Sequence, residues 1–285
     1  MENPFIPIEP DGPAKNEFSS SDAPEADNRG AKLHEIPIRK LIPNLITVLA
    51  ICAGLTGIRL AYEGRFELAV AMVLLAAFLD GIDGRIARLI KGETRFGAEM
   101  DSLADIVNFG VAPAFVLYAY VLQDIKTLGW VAAVAYVIAC ALRLARFNVM
   151  NIGVQNTGWR RNYFVGVPAP MGAALVFLPF YLGFADHGPD RAVAIGASMF
   201  TLFIAFLLVS RLPVWSGKSF AFKKDHIVPA IMGVVVFVLL LASEPWLTLS
   251  LCVIAYLAFL PLSTRKYWQR SKAEKQSSKQ ASESL

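Results

Sequence analysis

Long apolar stretches recur along the chain and are separated by short polar connections. They lie at about residues 41–61, 66–90, 101–122, 128–150, 165–185, 191–210, 227–243 and 245–262. A helix needs about 20 predominantly apolar residues to cross ~30 Å of hydrocarbon, and each stretch is close to that length. The pattern predicts an all-α fold, a polytopic membrane helix bundle with about eight transmembrane helices.

The composition supports the same conclusion. Hydrophobic residues make up 55% of the 285 residues and charged residues 18%, whereas a soluble domain has about 45–50% apolar and about 25% charged residues. An ordinary soluble enzyme is therefore excluded. Cys52, Cys140 and Cys252 each fall inside an apolar stretch without the spacing of a zinc site, so they are expected to be packing residues.

Both ends of the chain are polar. Residues 1–30 combine several prolines with Asp, Glu, Ser and Asn, which predicts a disordered cytoplasmic tail rather than a secretory signal. Residues 263–285 are rich in Ser and Lys and predict a polar, solvated cytoplasmic tail.

The basic residues are distributed unevenly between the two membrane faces. With eight spans, one face keeps four of the 27 Lys and Arg residues, namely Arg59, Arg65, Lys126 and Arg191. The rest lie on the other face, which the positive-inside rule places in the cytoplasm together with both termini. A lipid bilayer is the implied partner, whereas no nucleic-acid partner is indicated.

Four aspartates interrupt the second and third apolar stretches. An Asp at a membrane-helix centre costs about 2.5–3.5 kcal/mol, so four of them require a compensating charge. Asp80 and Asp83 are three residues apart, and Asp101 and Asp105 are four apart, so each pair shares a helix face. Hard oxygen ligands suit Mg²⁺ or Mn²⁺. Arg88 and Arg95 flank the aspartates and could grip a phosphate group, which favours a pyrophosphate substrate.

The segment Asp80-Gly-Ile-Asp-Gly-Arg-Ile-Ala-Arg88, followed after eight residues by Gly97-Ala-Glu-Met-Asp101-Ser-Leu-Ala-Asp105, resembles the signature of the CDP-alcohol phosphatidyltransferase family at every fixed position. The resemblance implies a six-helix catalytic core, usually homodimeric, with a CDP-activated donor and a dinuclear Mg²⁺ or Mn²⁺ site at the cytoplasmic side. This core would occupy residues 31–220, and residues 221–262 would add a two-helix membrane segment.

Residue roles follow from that resemblance by position. Asp80, Asp83 and Asp101 would be metal ligands, and Asp105 would be both a ligand and the general base. Donor-binding residues would line the CDP moiety, and they are Gly84, Ala87, Arg88 and Gly97, with Asn44 and Thr47 of Pro43-Asn-Leu-Ile-Thr47 on the first helix.

Two further stretches resemble the phosphatidylserine synthase branch of the family. They are Ala141-Leu-Arg-Leu-Ala-Arg-Phe-Asn148 and Phe164-Val-Gly-Val-Pro-Ala-Pro170. This resemblance implies transfer of the phosphatidyl group from CDP-diacylglycerol to L-serine. Arg143 and Arg146 share a helix face and could hold the carboxylate of serine, with Asn148 as a further acceptor contact, although positive-inside anchoring also explains the two arginines.

Two alternatives remain open from the sequence. The same chemistry could use glycerol 3-phosphate, inositol phosphate or choline as the acceptor. A cation or proton transporter would also place carboxylates in membrane helices. Transporter sites favour the bilayer midplane between repeated halves, whereas these aspartates cluster near one face and the sequence shows no internal repeat.

Overall fold

Helices dominate the described chain. The computed structural model describes residues 38–90, 94–152, 163–183, 190–215 and 227–283. The predicted tail at residues 1–30 and the predicted boundary at residue 221 lie outside these ranges. The helices are α1 (Ile38–Tyr62), α2 (Phe66–Leu89), α3 (Arg95–Asp105), α4 (Ala112–Tyr120), α5 (Lys126–Ile152), α6 (Ala169–Val176), α7 (Leu178–Tyr181), α8 (Arg191–Val209), α9 (Ile227–Ser243) and α10 (Pro245–Glu283).

Short irregular elements join some of these helices. A π-helical segment, Ile106–Val111, connects α3 to α4, and a 3₁₀ turn, Leu122–Ile125, leads into α5. Strands β1 (Tyr163–Val165) and β2 (Pro213–Trp215) form an antiparallel ribbon in which Phe164 lies opposite Val214. The ribbon brings the chain before α6 next to the chain after α8.

The predicted all-α polytopic membrane architecture is confirmed. Within the described residues, five helical stretches are long and apolar enough to cross a membrane, and two shorter apolar helices accompany them. Helix α2 has 24 residues, but it carries too many ionisable side chains to be counted among these five apolar stretches. The chain is therefore an integral membrane protein. The five stretches are Leu41–Tyr62, Arg95–Tyr120, Leu122–Met150, Arg191–Val209 and Pro245–Arg270.

Two predicted spans have different limits in the structure. The stretch at 165–185 is divided into α6 and α7, which meet at Phe177. Pro179 lies in the first turn of α7, where it has no backbone N–H to continue the hydrogen bonding of α6. The last span, predicted to end at residue 262, continues as one helix to Glu283, since the polar residues beyond it include good helix formers and neither Gly nor Pro.

Small residues let α1 and α2 approach closely. Ala50, Ala53, Ala69 and Ala76 are buried along the two helices. A Cβ added to Gly57 would lie 2.9 Å from the carbonyl oxygen of Ala69. Contacts of this kind drive helix association in a bilayer, where lipid tails are as apolar as the side chains. The close approach fixes the start of α1 against the aspartates of α2.

Candidate active site

The four aspartates lie in one cluster. Helix α3 begins at a fixed point because Thr94 Oγ1 accepts a hydrogen bond of 2.9 Å from the backbone N–H of Gly97. This cap sets the positions of Asp101 and Asp105. The carboxyl groups of Asp80 and Asp105 lie within hydrogen-bonding reach of each other, and Asp80 also interacts electrostatically with Asp83 and Asp101.

Two carboxylate oxygens in this cluster have no hydrogen-bond partner. They are Oδ1 of Asp80 and Oδ1 of Asp83, and both are buried. Asp83 is 2% exposed, and its other oxygen accepts a hydrogen bond of 2.5 Å from Thr47 Oγ1. Buried carboxylate oxygens without donors require a positive partner, and oxygen donors suit Mg²⁺ or Mn²⁺. The donor set therefore fits a divalent cation.

The four carboxylates lie near one another, but they do not converge on one position. Within the described ranges, no three His, Cys, Asp or Glu side chains converge closely enough to hold a metal ion. Mutual repulsion of like charges disfavours closer approach of the four side chains by themselves.

A pocket of about 190 Å³ opens beside the cluster, between α1, α2 and the start of α3. Five of the six predicted donor-binding residues line it. Its wall also includes three residues that the sequence did not indicate, Pro43, Thr94 and Ala98. The complete lining is Pro43, Asn44, Thr47, Asp83, Gly84, Ala87, Thr94, Gly97, Ala98 and Asp101.

Arg88, the sixth predicted donor-binding residue, lies outside this lining. Its Nε donates a hydrogen bond of 2.9 Å to the carbonyl oxygen of Gly84, one turn earlier in α2. The other four N–H donors of a guanidinium are not used by that bond.

Gly97 lies where α3 approaches α1. A Cβ at this position would lie 2.8 Å from Oδ1 of Asn44 and 3.0 Å from Oγ1 of Thr94. Gly84 differs, because a Cβ there would meet no atom within 4 Å. Gly97 thus brings two helices together, whereas Gly84 leaves open space at the wall of the pocket.

Arg143, one of the predicted acceptor residues, faces the cluster. Its Nε donates a hydrogen bond of 2.5 Å to the carbonyl oxygen of Val167, and its charge interacts with that of Asp105. Val167 is held by its neighbour Gly166, which has φ +79° and donates its N–H to Leu212 O at 2.8 Å. A Cβ at Gly166 would lie 2.8 Å from Ser210 O, so this turn requires glycine.

Arg146, the other predicted arginine, contacts the end of α8. Its Nη2 donates to Val209 O at 2.8 Å, and its Nη1 lies 3.4 Å from Ser210 O. Carbonyl groups at a helix C-terminus have no partner within the helix, and a cationic side chain there is also favoured by the helix dipole. The contacts of Arg146 therefore stabilise the junction between α5 and α8.

Asn148 lies next to the carboxylates rather than among them. Its Nδ2 donates a hydrogen bond of 3.1 Å to Oγ of Ser102, the residue after Asp101. Both side chains are at least partly exposed. The contact joins the end of α5 to the second half of α3, at the same end of the bundle as Arg143.

The π-helical segment directly after Asp105 contains a feature that the sequence did not indicate. Asn108 is fully buried, and neither atom of its side-chain amide has a hydrogen-bond partner. Phe109, its neighbour, accepts a hydrogen bond of 2.9 Å from the buried hydroxyl of Tyr136 in α5. A π-helical turn leaves the regular i to i−4 bonding, and Tyr136 supplies a donor to one of the carbonyl groups there.

Comparison with known proteins identifies this arrangement. A family model described as CDP-alcohol phosphatidyltransferase matches residues 40–210. The chain belongs to the CDP-alcohol phosphatidyltransferase family. A second model, CDP-alcohol phosphatidyltransferase 2, matches residues 226–261. The resemblance drawn from the aspartate signature is thus confirmed at the level of the family, and the matched region contains all four aspartates, the pocket and both arginines.

Two similar curated proteins are named CDP-diacylglycerol–serine O-phosphatidyltransferase, and a third is named archaetidylserine synthase. The CDP-diacylglycerol–serine O-phosphatidyltransferase of Mycobacterium leprae (strain TN) is 38% identical over 231 residues, which cover 79% of this chain and 74% of the relative. The Methanocaldococcus jannaschii protein of the same name is 31% identical, covering 72% of this chain and 90% of the relative. An archaetidylserine synthase of Methanothermobacter thermautotrophicus is 34% identical, covering 55% of this chain and 65% of the relative.

Proposed function

We propose that this chain is a membrane enzyme that transfers the phosphatidyl group of CDP-diacylglycerol to the hydroxyl of L-serine, giving phosphatidylserine and CMP. The observation that carries the proposal is the juxtaposition of a pocket, an aspartate cluster and an arginine at one end of the bundle. The names of the relatives support the choice of both substrates.

The donor would bind in the pocket between α1, α2 and α3. Asn44, Thr47, Gly84, Ala87 and Gly97 line this pocket, and they offer an amide, a hydroxyl and exposed backbone to a nucleotide. Arg88, one turn after Gly84 in α2, would contact the donor through N–H groups outside its bond to Gly84. The donor's pyrophosphate would then extend toward Asp83 and Asp101, which form part of the same wall.

Asp80, Asp83, Asp101 and Asp105 would hold Mg²⁺ or Mn²⁺, in a dinuclear site by family resemblance. When bound, such ions offset the charge on the pyrophosphate and on the departing CMP. Thr47 would orient the carboxylate of Asp83 by its hydrogen bond. Orientation of this kind from a second layer of residues is typical of metal sites.

The acceptor would bind between Arg143 and Asp105. Arg143 uses Nε for its bond to Val167, and a guanidinium has further N–H donors for a carboxylate. With the serine carboxylate at Arg143, the hydroxyl would face Asp105, whose charge interacts with Arg143. Asp105 would take the hydroxyl proton as the serine oxygen bonds to the phosphorus next to diacylglycerol, and the bond from that phosphorus to CMP breaks.

The contacts of Arg146 favour Arg143 as the carboxylate ligand. Arg146 already donates to two carbonyl oxygens at the end of α8. Asn148 would shape the acceptor site through Ser102, which follows Asp101 in α3.

Orientation and assembly are part of the same proposal. The uneven distribution of Lys and Arg supports an inner-membrane protein with the active site and both termini in the cytoplasm. The family resemblance supports a homodimer. Cysteine labelling from each side of the membrane, with a single cysteine placed at exposed Arg270, would test the location of the C-terminal region.

A substrate panel tests the central claim. Purified protein is given CDP-diacylglycerol and Mn²⁺ with L-serine, glycerol 3-phosphate, inositol phosphate or choline, and the lipid product is identified. Phosphatidylserine is expected. Preference for another lipid product would overturn the acceptor assignment while leaving the donor chemistry intact.

Carboxylate variants test the site. Asp80→Asn, Asp83→Asn, Asp101→Asn and Asp105→Asn are each expected to abolish turnover, because each removes a charge that faces the donor's pyrophosphate or its ions. Glu99→Gln is the matched control, since Glu99 is exposed on α3 and does not line the pocket. Substantial turnover by Asp83→Asn, or wild-type rates in excess chelator, would contradict the metal mechanism.

A further inference from the structure

A second cavity lies between α8 and α10, away from the candidate active site. Its volume is about 540 Å³, within the ~300–1,000 Å³ typical of ligand pockets. It shares no lining residue with the donor pocket. Most of its wall is apolar, including Phe203 and Leu207 of α8 and Leu257 and Leu260 of α10.

One end of this groove is polar and basic. Arg265 and Trp268 of α10 complete the lining there, in the last turns of the membrane-crossing stretch Pro245–Arg270. Both side chains are exposed. Tryptophan is enriched at the level of the lipid head groups, and arginine is suited to bind a phosphate group with paired N–H donors. The groove therefore combines an apolar slot with a phosphate-binding group at head-group depth.

The polar end is held in a fixed position. Oγ of Ser263, two residues before Arg265, donates a hydrogen bond of 3.2 Å to the carbonyl oxygen of Pro213 in β2. Ser263 is 2% exposed. Since β2 is also paired with β1, this part of α10 is attached to a hydrogen-bonded ribbon, and the groove keeps its width at the end where a head group would bind.

We propose that the groove between α8 and α10 binds an anionic phospholipid of the surrounding bilayer. One acyl chain lies along Phe203, Leu207, Leu257 and Leu260, and the phosphate group contacts Arg265. Charge complementarity selects an anionic over a zwitterionic lipid, because exposed Lys266, next to Arg265, adds positive charge at the same end, where a basic residue attracts anionic lipid. The groove shares no lining residue with the donor pocket, so this lipid binds at a site apart from that of the donor.

Native mass spectrometry of the full chain in detergent, titrated with phosphatidylglycerol or phosphatidylcholine without substrates, tests the proposal. Wild-type protein is expected to retain phosphatidylglycerol in preference to phosphatidylcholine. Arg265→Gln is expected to weaken phosphatidylglycerol retention roughly 10-fold, the effect of losing one charge-assisted hydrogen-bonding group. Arg270→Gln removes the same charge from an exposed position outside the groove lining and is expected to bind like the wild type.

A second measurement locates the lipid. Phosphatidylglycerol brominated in its acyl chains is expected to quench tryptophan fluorescence more strongly than brominated phosphatidylcholine, and Trp268→Phe is expected to remove that difference. Equal weakening by Arg265→Gln and Arg270→Gln would overturn the proposal, as would equal retention of the two lipids. A raised KM for CDP-diacylglycerol in Arg265→Gln with unchanged lipid retention would also overturn it, because the groove would then serve the donor.

Discussion

Replacement of Thr47 by valine removes a single hydrogen bond from the aspartate cluster while keeping the shape of the side chain. Thr47 is 4% exposed and Asp83 is 2% exposed, so water cannot readily replace the lost donor. Oδ1 of Asp83 already has no partner, and Thr47→Val leaves Oδ2 without the hydroxyl as well. A hydrogen bond to a charged group is worth about 1.5–3 kcal/mol.

We expect this loss to appear as weaker metal binding. Removal of a residue that orients a metal ligand typically reduces metal affinity about 10- to 100-fold. The assay is CMP release at saturating CDP-diacylglycerol and serine, measured as Mn²⁺ is varied. The Mn²⁺ concentration for half-maximal rate should rise by a factor in that range, and Thr47→Ser should restore much of the affinity because it returns the hydroxyl.

Helix α1 offers a matched control. Thr56 has the same side chain, and its Oγ1 donates to the carbonyl oxygen of Cys52 at 2.6 Å, away from the aspartates. Thr56→Val should leave the Mn²⁺ requirement unchanged. An unchanged requirement in Thr47→Val would refute the role of Thr47 as the group that orients Asp83, and an equal change in both variants would indicate a general effect on α1.

Three further results are expected. Arg143→Ala should raise the KM for serine roughly 10- to 150-fold, because a charge-assisted contact is lost. The KM for CDP-diacylglycerol should stay nearly unchanged, and Arg143→Lys should recover part of the loss. Equal losses for both substrates would contradict the role of Arg143 at the acceptor. Arg146→Ala should lower the unfolding temperature, because Val209 and Ser210 lose their donors, and a serine KM effect without destabilisation would argue against this contact. Gly97→Ala should reduce activity and thermal stability, since its Cβ would lie 2.8 Å from Asn44, whereas Gly196→Ala in α8 meets no atom within 4 Å and should be neutral in both assays.

The lengths of the apolar stretches predicted the helices. They did not predict where two of these helices begin and end. The stretch at 165–185 is apolar throughout, yet Pro179 divides it into α6 and α7. The opposite occurs after residue 262, where polarity predicted the end of the span but helix α10 continues to Glu283. Hydropathy reports where lipid surrounds a helix, and backbone hydrogen bonding decides where the helix ends.

The candidate site was predictable where a local motif determines it. Gly84, Ala87 and Gly97 belong to the signature, Asn44 and Thr47 belong to the motif on the first helix, and all five line one pocket. Pro43, Thr94 and Ala98 join them through packing between helices. Thr is among the residues preferred at a helix N-cap, and this preference could have indicated Thr94. No local pattern distinguishes Arg143 from Arg146, since their different partners, Val167 and the end of α8, are set by tertiary structure.

The π-helical segment at Ile106–Val111 changes which face of one membrane-crossing helix points toward the aspartate cluster and which points toward the apolar core. The half before it presents Asp101 and Asp105 to the other aspartates, and the half after it packs Leu117 and its neighbours into the apolar core. A π-helical turn contains one residue more than an α-helical turn. The direction in which the side chains of one half project, relative to those of the other half, therefore depends on the number of residues between the two halves. Substitutions within this segment change local packing, but deletion of one residue would rotate the carboxylates relative to the core. The spacing between Asp105 and Ala112 is therefore constrained by residue count as well as by residue type.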